Sequence, residues 1–169
     1  ILAGIDPDEV LAQWVQDNDL TLVLANGSDP QMRFSSVCPA NFYGAYLATQ
    51  HLIDAGHRKI LHYTYRHRPT ILQRRRGFEA AIAANPGTEG IVVISNEHTS
   101  KDLLSDLLDG KYDVTAVFCW NDGIAVTMVE SLLGQDSPMR PGFSIIGFDD
   151  LPIAGMASPR LSTVRVDRE

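Results

Sequence analysis

Short apolar runs alternate along this chain with longer stretches whose apolar positions recur at helical spacing. The runs are Leu20 to Ala25, Ile60 to Tyr63, Ile91 to Ile94, Thr115 to Cys119 and Phe143 to Ile146. They hold four to six residues each, with Gly, Pro, Asn or Asp nearby. Such runs predict strands buried on both faces of a sheet. A further short strand is predicted near Phe34 to Val37. Ile1 and Leu2 read as the tail of another, with Gly4 as its exit.

The intervening stretches predict helices. Asp6-Pro7-Asp8-Glu9 opens the first, with Asp6 as cap and Pro7 in the first turn. Val10, Leu11, Trp14 and Val15 then make one apolar face, which sends Trp14 into the core. A helix from about Asn41 to Ala55 carries Tyr43, Leu47, His51 and Leu52 on one face, and Gly56 stops it. A third helix runs from about Ile71 to Ala84 and ends at Asn85-Pro86-Gly87. Thr99 or Ser100 caps a fourth, which reaches Leu108. Asn121-Asp122 opens a fifth, to Leu133. Strict alternation of strand and helix predicts a parallel sheet with helices on both faces, an α/β fold.

A parallel sheet collects its strand carboxyl ends on one edge, where open α/β sheets bind ligands. Four polar stretches fall there: Arg66 to Arg74, Ser95 to His98, Trp120 to Asp122, and Asp149 to Asp150. The last follows the run FSIIGFDD, Phe143 to Asp150. Gly147 in it permits a turn or a close approach. Asp149 and Asp150 each read either as a pocket carboxylate or as a cap of the next helix. Asn121 and Asp122 carry the same two readings. Arg74, Arg75 and Arg76 point about 100° apart on a helix, so they cannot all face one pocket. Guanidinium, amide, carboxylate and indole groups together suit a neutral polyhydroxylated ligand. They also suit a purine-like or small anionic one.

Composition narrows the function. The 169 residues fit one domain or two small lobes. The 14 basic and 21 acidic residues give a net charge of -7, which argues against a nucleic-acid-binding surface on this segment. No apolar run reaches the roughly 18 residues of a membrane span. Cys38 and Cys119 are far apart with no CxxC, so no zinc site is expected, and Cys119 reads as a buried thiol. The scattered histidines lack metal-ligand spacing. His57, just after Gly56, suits the negative helix end as a cation. Nucleophile-elbow, phosphate-loop and dinucleotide motifs are missing, so an enzyme on a doubly wound sheet is the weaker reading. The opening Ile1-Leu2-Ala3-Gly4 reads as a strand end, so the chain is expected to be a fragment.

Five segments carry a family resemblance in one order: GAYLATQHLIDAGHRKI (Gly44 to Ile60), RRRGF (Arg74 to Phe78), TAVFCWND (Thr115 to Asp122), SIIGFDD (Ser144 to Asp150) and SPRLSTVR (Ser158 to Arg165). Together they resemble the effector-binding domain of LacI/GalR-type bacterial transcription regulators. The resemblance implies a type I periplasmic-binding-protein-like fold of two doubly wound lobes, the amino-terminal one incomplete here. It places residues 1–37 in the amino-terminal lobe, 38–163 in the carboxyl-terminal lobe, and 164–169 in a crossover back.

It further implies effector contacts at Arg74, Arg68, Thr70, Asn121, Asp149 and, with loose alignment, Asn96. Asp150 becomes structural. The family's aspartate near the lobe crossover is replaced by Pro39 and Ala40. A common glycine is Thr64, and the usual proline before the last strand is shifted, with Pro138 and Pro141 flanking it. Trp120 is bulky beside Asn121 and would narrow the pocket or stack on a sugar. The function implied is that of a sugar or small-metabolite sensor, cytoplasmic and homodimeric, without cofactor or metal. It would act on operator DNA through a helix-turn-helix head outside this chain. The alternative of another class is a periplasmic sugar receptor of a transporter.

Overall fold

The computed structural model describes residues 1–65, 68–95, 99–132 and 142–167. They form two sheets. The first has the order β1 (Leu2–Ala3), β2 (Val23–Ala25) and β3 (Ser35–Val37), with α1 (Glu9–Asp17) connecting the first two strands. The second contains β4 (Lys59–Thr64), β5 (Glu89–Ile94), β6 (Ala116–Cys119), β7 (Ser144–Phe148) and β8 (Ser162–Val164), in the order β5-β4-β6-β7-β8. Every strand pairing is parallel. The remaining helices are α2 (Asn41–Asp54), α3 (Pro69–Ala84), α4 (Ser100–Leu108), α5 (Asp122–Leu132) and α6 (Pro152–Met156).

The larger sheet is buried on both faces, as its apolar strands require. On one side Ile60, Phe118, Ile146 and Phe148 meet Ala45, Ala48, Leu52 and Phe78 of α2 and α3. On the other, Leu61, Tyr63, Val117 and Ile145 meet Leu103, Met128 and Val129 of α4 and α5. The strand order reverses at β4, which lies between β5 and β6. A crevice opens outside the carboxyl ends at such a reversal. Among the described residues, no helix is long and apolar enough to cross a membrane.

Several expectations about faces and caps are corrected. Asp8, not Asp6, caps α1 by accepting from the Leu11 amide, which leaves Pro7 ahead of the cap. Ala12 and Val15 form the buried stripe of α1, while Val10 is 79% and Trp14 55% exposed. A nine-residue helix over three short strands has only a narrow contact, and Trp14 lies beside it. In α2 the buried face is Gly44, Ala45, Ala48, Thr49, Leu52 and Ile53, while Tyr43 and Leu47 are exposed. Close approach selects these small residues. A Cβ on Gly77 of α3 would lie 2.1 Å from the Phe42 carbonyl oxygen, and one on Gly44 2.8 Å from the Phe148 ring.

His57 is buried against Thr115, with Nδ1 2.9 Å from the Thr115 hydroxyl. Burial lowers its pKa, so it is not the cation expected at the helix end. Arg58 serves that end instead, donating to the Ile53 carbonyl at 2.8 Å. The α4 cap is Thr99, in a reciprocal capping box with Asp102. Helix α3 begins two residues earlier than expected, at Pro69, and so takes Thr70 into its first turn.

Candidate functional site

A cavity of about 650 Å³ lies at the carboxyl ends of β4, β6 and β7. Arg68, Thr70, Arg74, Trp120, Asn121 and Asp149 all line it. Asn96 lies outside the described residues. The first sheet's side contributes Asn26, and Pro39 of the connecting segment adds to the wall.

Arg74 is the centre of the cavity's hydrogen bonding. Thr70, Ile71, Arg74, Gly77 and Phe78 recur at three- and four-residue spacing on the inward stripe of α3. Arg74 is 4% exposed. Its Nε donates to Asn41 Oδ1 at 2.8 Å, Nη1 to the Trp120 carbonyl, and Nη2 to Asp149 Oδ1 at 2.9 Å. The guanidinium carbon lies 3.6 Å from the Phe148 ring centroid. A planar fork of donors can satisfy three acceptors at once, which an ammonium cannot match in this geometry. Burial lowers its pKa and the Asp149 charge raises it. Arg75 turns outward to pair with Glu79 at 2.7 Å.

Asp149 and Asp150 have φ of 110° and 49°. These two left-handed residues make the turn after β7, a task the sequence reading considered for Gly147. Gly147 lies inside the strand, where it permits a close approach. A Cβ there would be 2.3 Å from Asp122 Oδ1. Neither aspartate caps α6, whose first residue is preceded by Leu151 without a side-chain cap. The Leu151 amide donates to Asp122 Oδ2 at 2.7 Å, and the Thr163 hydroxyl to Asp122 Oδ1 at 2.5 Å. Asp122 is fully buried, and burial raises its pKa against those two bonds. It therefore ties the start of α5 to α6 and β8 and does not line the cavity.

Asn121 is the cap of α5, its Oδ1 accepting from the Ile124 amide at 2.9 Å. With Oδ1 engaged in the cap, the side-chain amide nitrogen is the donor this cavity-lining residue retains. Trp120 makes an aromatic wall with Tyr63 and Tyr65, at centroid distances of 5.1 and 6.2 Å. Thr64, at the family's glycine position, is buried, and its hydroxyl lacks a partner among the described residues.

Arg68 does something else. It precedes α3 without capping it, and its guanidinium reaches residues of the first sheet's unit. Nε donates to Asp6 Oδ2 at 2.9 Å and Nη2 to the Asn26 carbonyl at 2.9 Å. Sequence reasoning missed Asp6, Asn26, Asn41 and Tyr65. The Asp6-Pro7-Asp8-Glu9 pattern reads locally as a helix start, which masks the partnership of Asp6 with Arg68, 62 positions away. Asn26, Asn41 and Tyr65 have no local signal, since their partners lie dozens of residues away.

Carboxylate, guanidinium, amide, hydroxyl and indole groups thus surround one open cavity. Among the described residues no cluster of histidine, cysteine, aspartate or glutamate could hold a metal ion.

Residues 49–169 match the family model of the periplasmic binding protein-like domain. The transcriptional regulator GalR of Salmonella typhimurium is 32% identical over 170 residues, covering 92% of this chain and 49% of its own length. The ribose operon repressor of Haemophilus influenzae is 35% identical over 153 residues, covering 86% of this chain and 45% of its own. The crystal structure of the transcription regulator CcpA of Lactococcus lactis matches with a TM-score of 0.79 at 22% identity, covering 95% of this chain and 60% of that one. The chain spans about half the length of the curated relatives it matches. By the match over its last 121 residues, this chain belongs to the periplasmic binding protein-like domain family, and its relatives are regulators of the LacI/GalR type.

Proposed function

We propose that this chain is the effector-sensing part of a transcription regulator, and that the effector is a sugar or related small metabolite. The carrying observation is the convergence of Asp149, Arg74, Asn121 and Trp120 on one cavity with Asn26 opposite. Asp149, 28% exposed at its side chain, is an acceptor for ligand hydroxyls. Asn121 is a donor, and Trp120 is a face on which a sugar ring can stack. Thr70 and Arg68 extend the polar wall, and by the family resemblance Asn96 is a further effector contact. Residues 1–37 belong to one lobe, 38–163 to the other, and 164–169 cross back.

Effector bound between the lobes favours one lobe arrangement by its differential affinity for the two. A cytoplasmic homodimer would pass that bias to a DNA-binding head on the intact protein, changing operator affinity. The names of the relatives support this reading: each is a transcriptional regulator or an operon repressor. This role involves no catalytic turnover.

A thermal-shift screen of sugars, sugar phosphates and purines on the intact protein tests it. A true ligand raises Tm, and Asp149→Ala removes that rise when each variant is compared with its own ligand-free Tm. A ligand whose shift survives the substitution would refute the site. Chemical turnover of the bound sugar would refute the function.

A further inference from the structure

The cavity's two described arginines each already face a carboxylate. Arg74 is held by Asp149 within the cavity. Arg68 is held by Asp6, which does not line the cavity and belongs to the first sheet's unit. Asp6 is itself fixed. Its Oδ1 accepts from the Ser28 amide at 2.8 Å, while Oδ2 accepts from Arg68. The turn that carries Ser28 is pressed against Ile5, since a Cβ on Gly27 would lie 2.2 Å from the Ile5 carbonyl oxygen. Asn26, with φ of 53°, presents its carbonyl as the second acceptor for the same guanidinium. The Asp6 and Arg68 side chains are 15% and 30% exposed, so water screens the pair only in part.

We infer that Asp6 is a positioning and selectivity residue of this cavity. It draws the Arg68 guanidinium across to the first sheet's unit and cancels its charge, so the site takes an uncharged, hydroxyl-bearing ligand and disfavours its phosphorylated or carboxylated counterpart. The inference rests on the effector-binding reading and narrows its ligand class. An anion entering the cavity must compete with a carboxylate that already holds one of the guanidinium's forks. A neutral hydroxyl needs only one donor and leaves the Asp6 pair intact. The same pair spans the two units, so its loss also frees one unit from the other at the cavity mouth.

Inorganic phosphate is the probe, titrated calorimetrically into the intact protein at low ionic strength. Asp6→Asn removes the charge and keeps a single acceptor oxygen, enough for the Ser28 amide but not for Arg68 as well. It should bind phosphate at least tenfold more tightly than wild type, and adding Arg68→Gln should abolish that gain. A loss of fold alone would not create new anion affinity. Arg68→Gln by itself provides an independent arm if Asp6→Asn does not fold. Because Arg68→Gln leaves the Asp6 carboxylate uncompensated, this single variant should not bind phosphate more tightly than wild type. The inference is overturned by equal phosphate affinity of wild type and Asp6→Asn, by a gain that survives Arg68→Gln, or by tighter phosphate binding in Arg68→Gln alone. Phosphate gain in Asp6→Asn without any sugar hit on wild type would sink the effector reading and leave this one. A sugar shift lost in Asp149→Ala without phosphate gain in Asp6→Asn would do the reverse.

Discussion

The Arg74 guanidinium donates to the Asp149 carboxylate at 2.9 Å, joining the middle of α3 to the turn that follows β7. The two residues are 75 positions apart. One member is almost completely buried and the other faces the cavity. The pair therefore belongs both to the fold and to the site. Arg74→Lys retains charge but cannot serve Asn41, Trp120 and Asp149 together. It should cost about 1–3 kcal/mol, the range for stranded buried acceptors, read as a lower urea midpoint. An unchanged midpoint would mean the three-way fork contributes nothing to stability.

Gly147 is required by contact and not by backbone conformation. Gly147→Ala would drive a methyl group onto Asp122 Oδ1, with Leu161 Cδ2 and Ala125 Cβ at 3.0 and 3.2 Å. Overpacking of this kind costs about 1–3 kcal/mol. The loss should exceed that of Gly155→Ala, where a Cβ meets nothing within 4 Å. Comparing the two urea midpoints checks this.

The chain's two tryptophans report on different places. Trp14 is half exposed on α1, and Trp120 lines the cavity. In Trp14→Phe, ligand addition should still change indole emission and shield it from iodide quenching. In Trp120→Phe that response should vanish. A ligand-dependent change persisting in Trp120→Phe would place binding elsewhere.

His62 predicts an acid-sensitive fold. It is fully buried between Phe78 and Phe118, and its Nδ1 lies 3.0 Å from the Phe118 carbonyl. Nδ1 must donate there, and because burial holds the ring neutral, Nε2 is unprotonated. Burial pulls its pKa from 6.5 down to about 3. Between those values the unfolded chain binds a proton that the folded one refuses. The His62 contribution is therefore full above pH 6.5 and is lost progressively as pH falls toward 3. His62→Phe should lose less stability than wild type between pH 7 and pH 5 in urea titrations. Parallel pH profiles would refute this.

The order of elements up to β7 was legible because burial on both sheet faces leaves an apolar run in the central strands, whereas α6 and the polar β8 carry no such run and were not predicted. Also legible were the helix stops and a cap at Thr99 or Ser100, which depend on neighbours three or four residues away. The segments around Arg74, Asn121 and Asp149 could also be singled out, since each follows a strand end whose position the alternation sets. Helix faces were less legible. Tyr43, Leu47 and Trp14 are the large apolar residues that a periodicity argument favours, yet close helix approach buries Gly44, Ala45 and Ala48 instead.

By itself, then, the sequence determined the parallel α/β architecture and which chain segments meet at one sheet edge. Both follow from local periodicity and from the geometry of parallel strands. Only the tertiary structure decided how the charges are shared: Asp149 with Arg74, Asp6 with Arg68, and Asp122 with Thr163 and the Leu151 amide. These bonds span 75, 62, 41 and 29 positions. Nothing in an aspartate's immediate neighbours says which of these distant partners it will find, because that choice is made by the packing of whole elements.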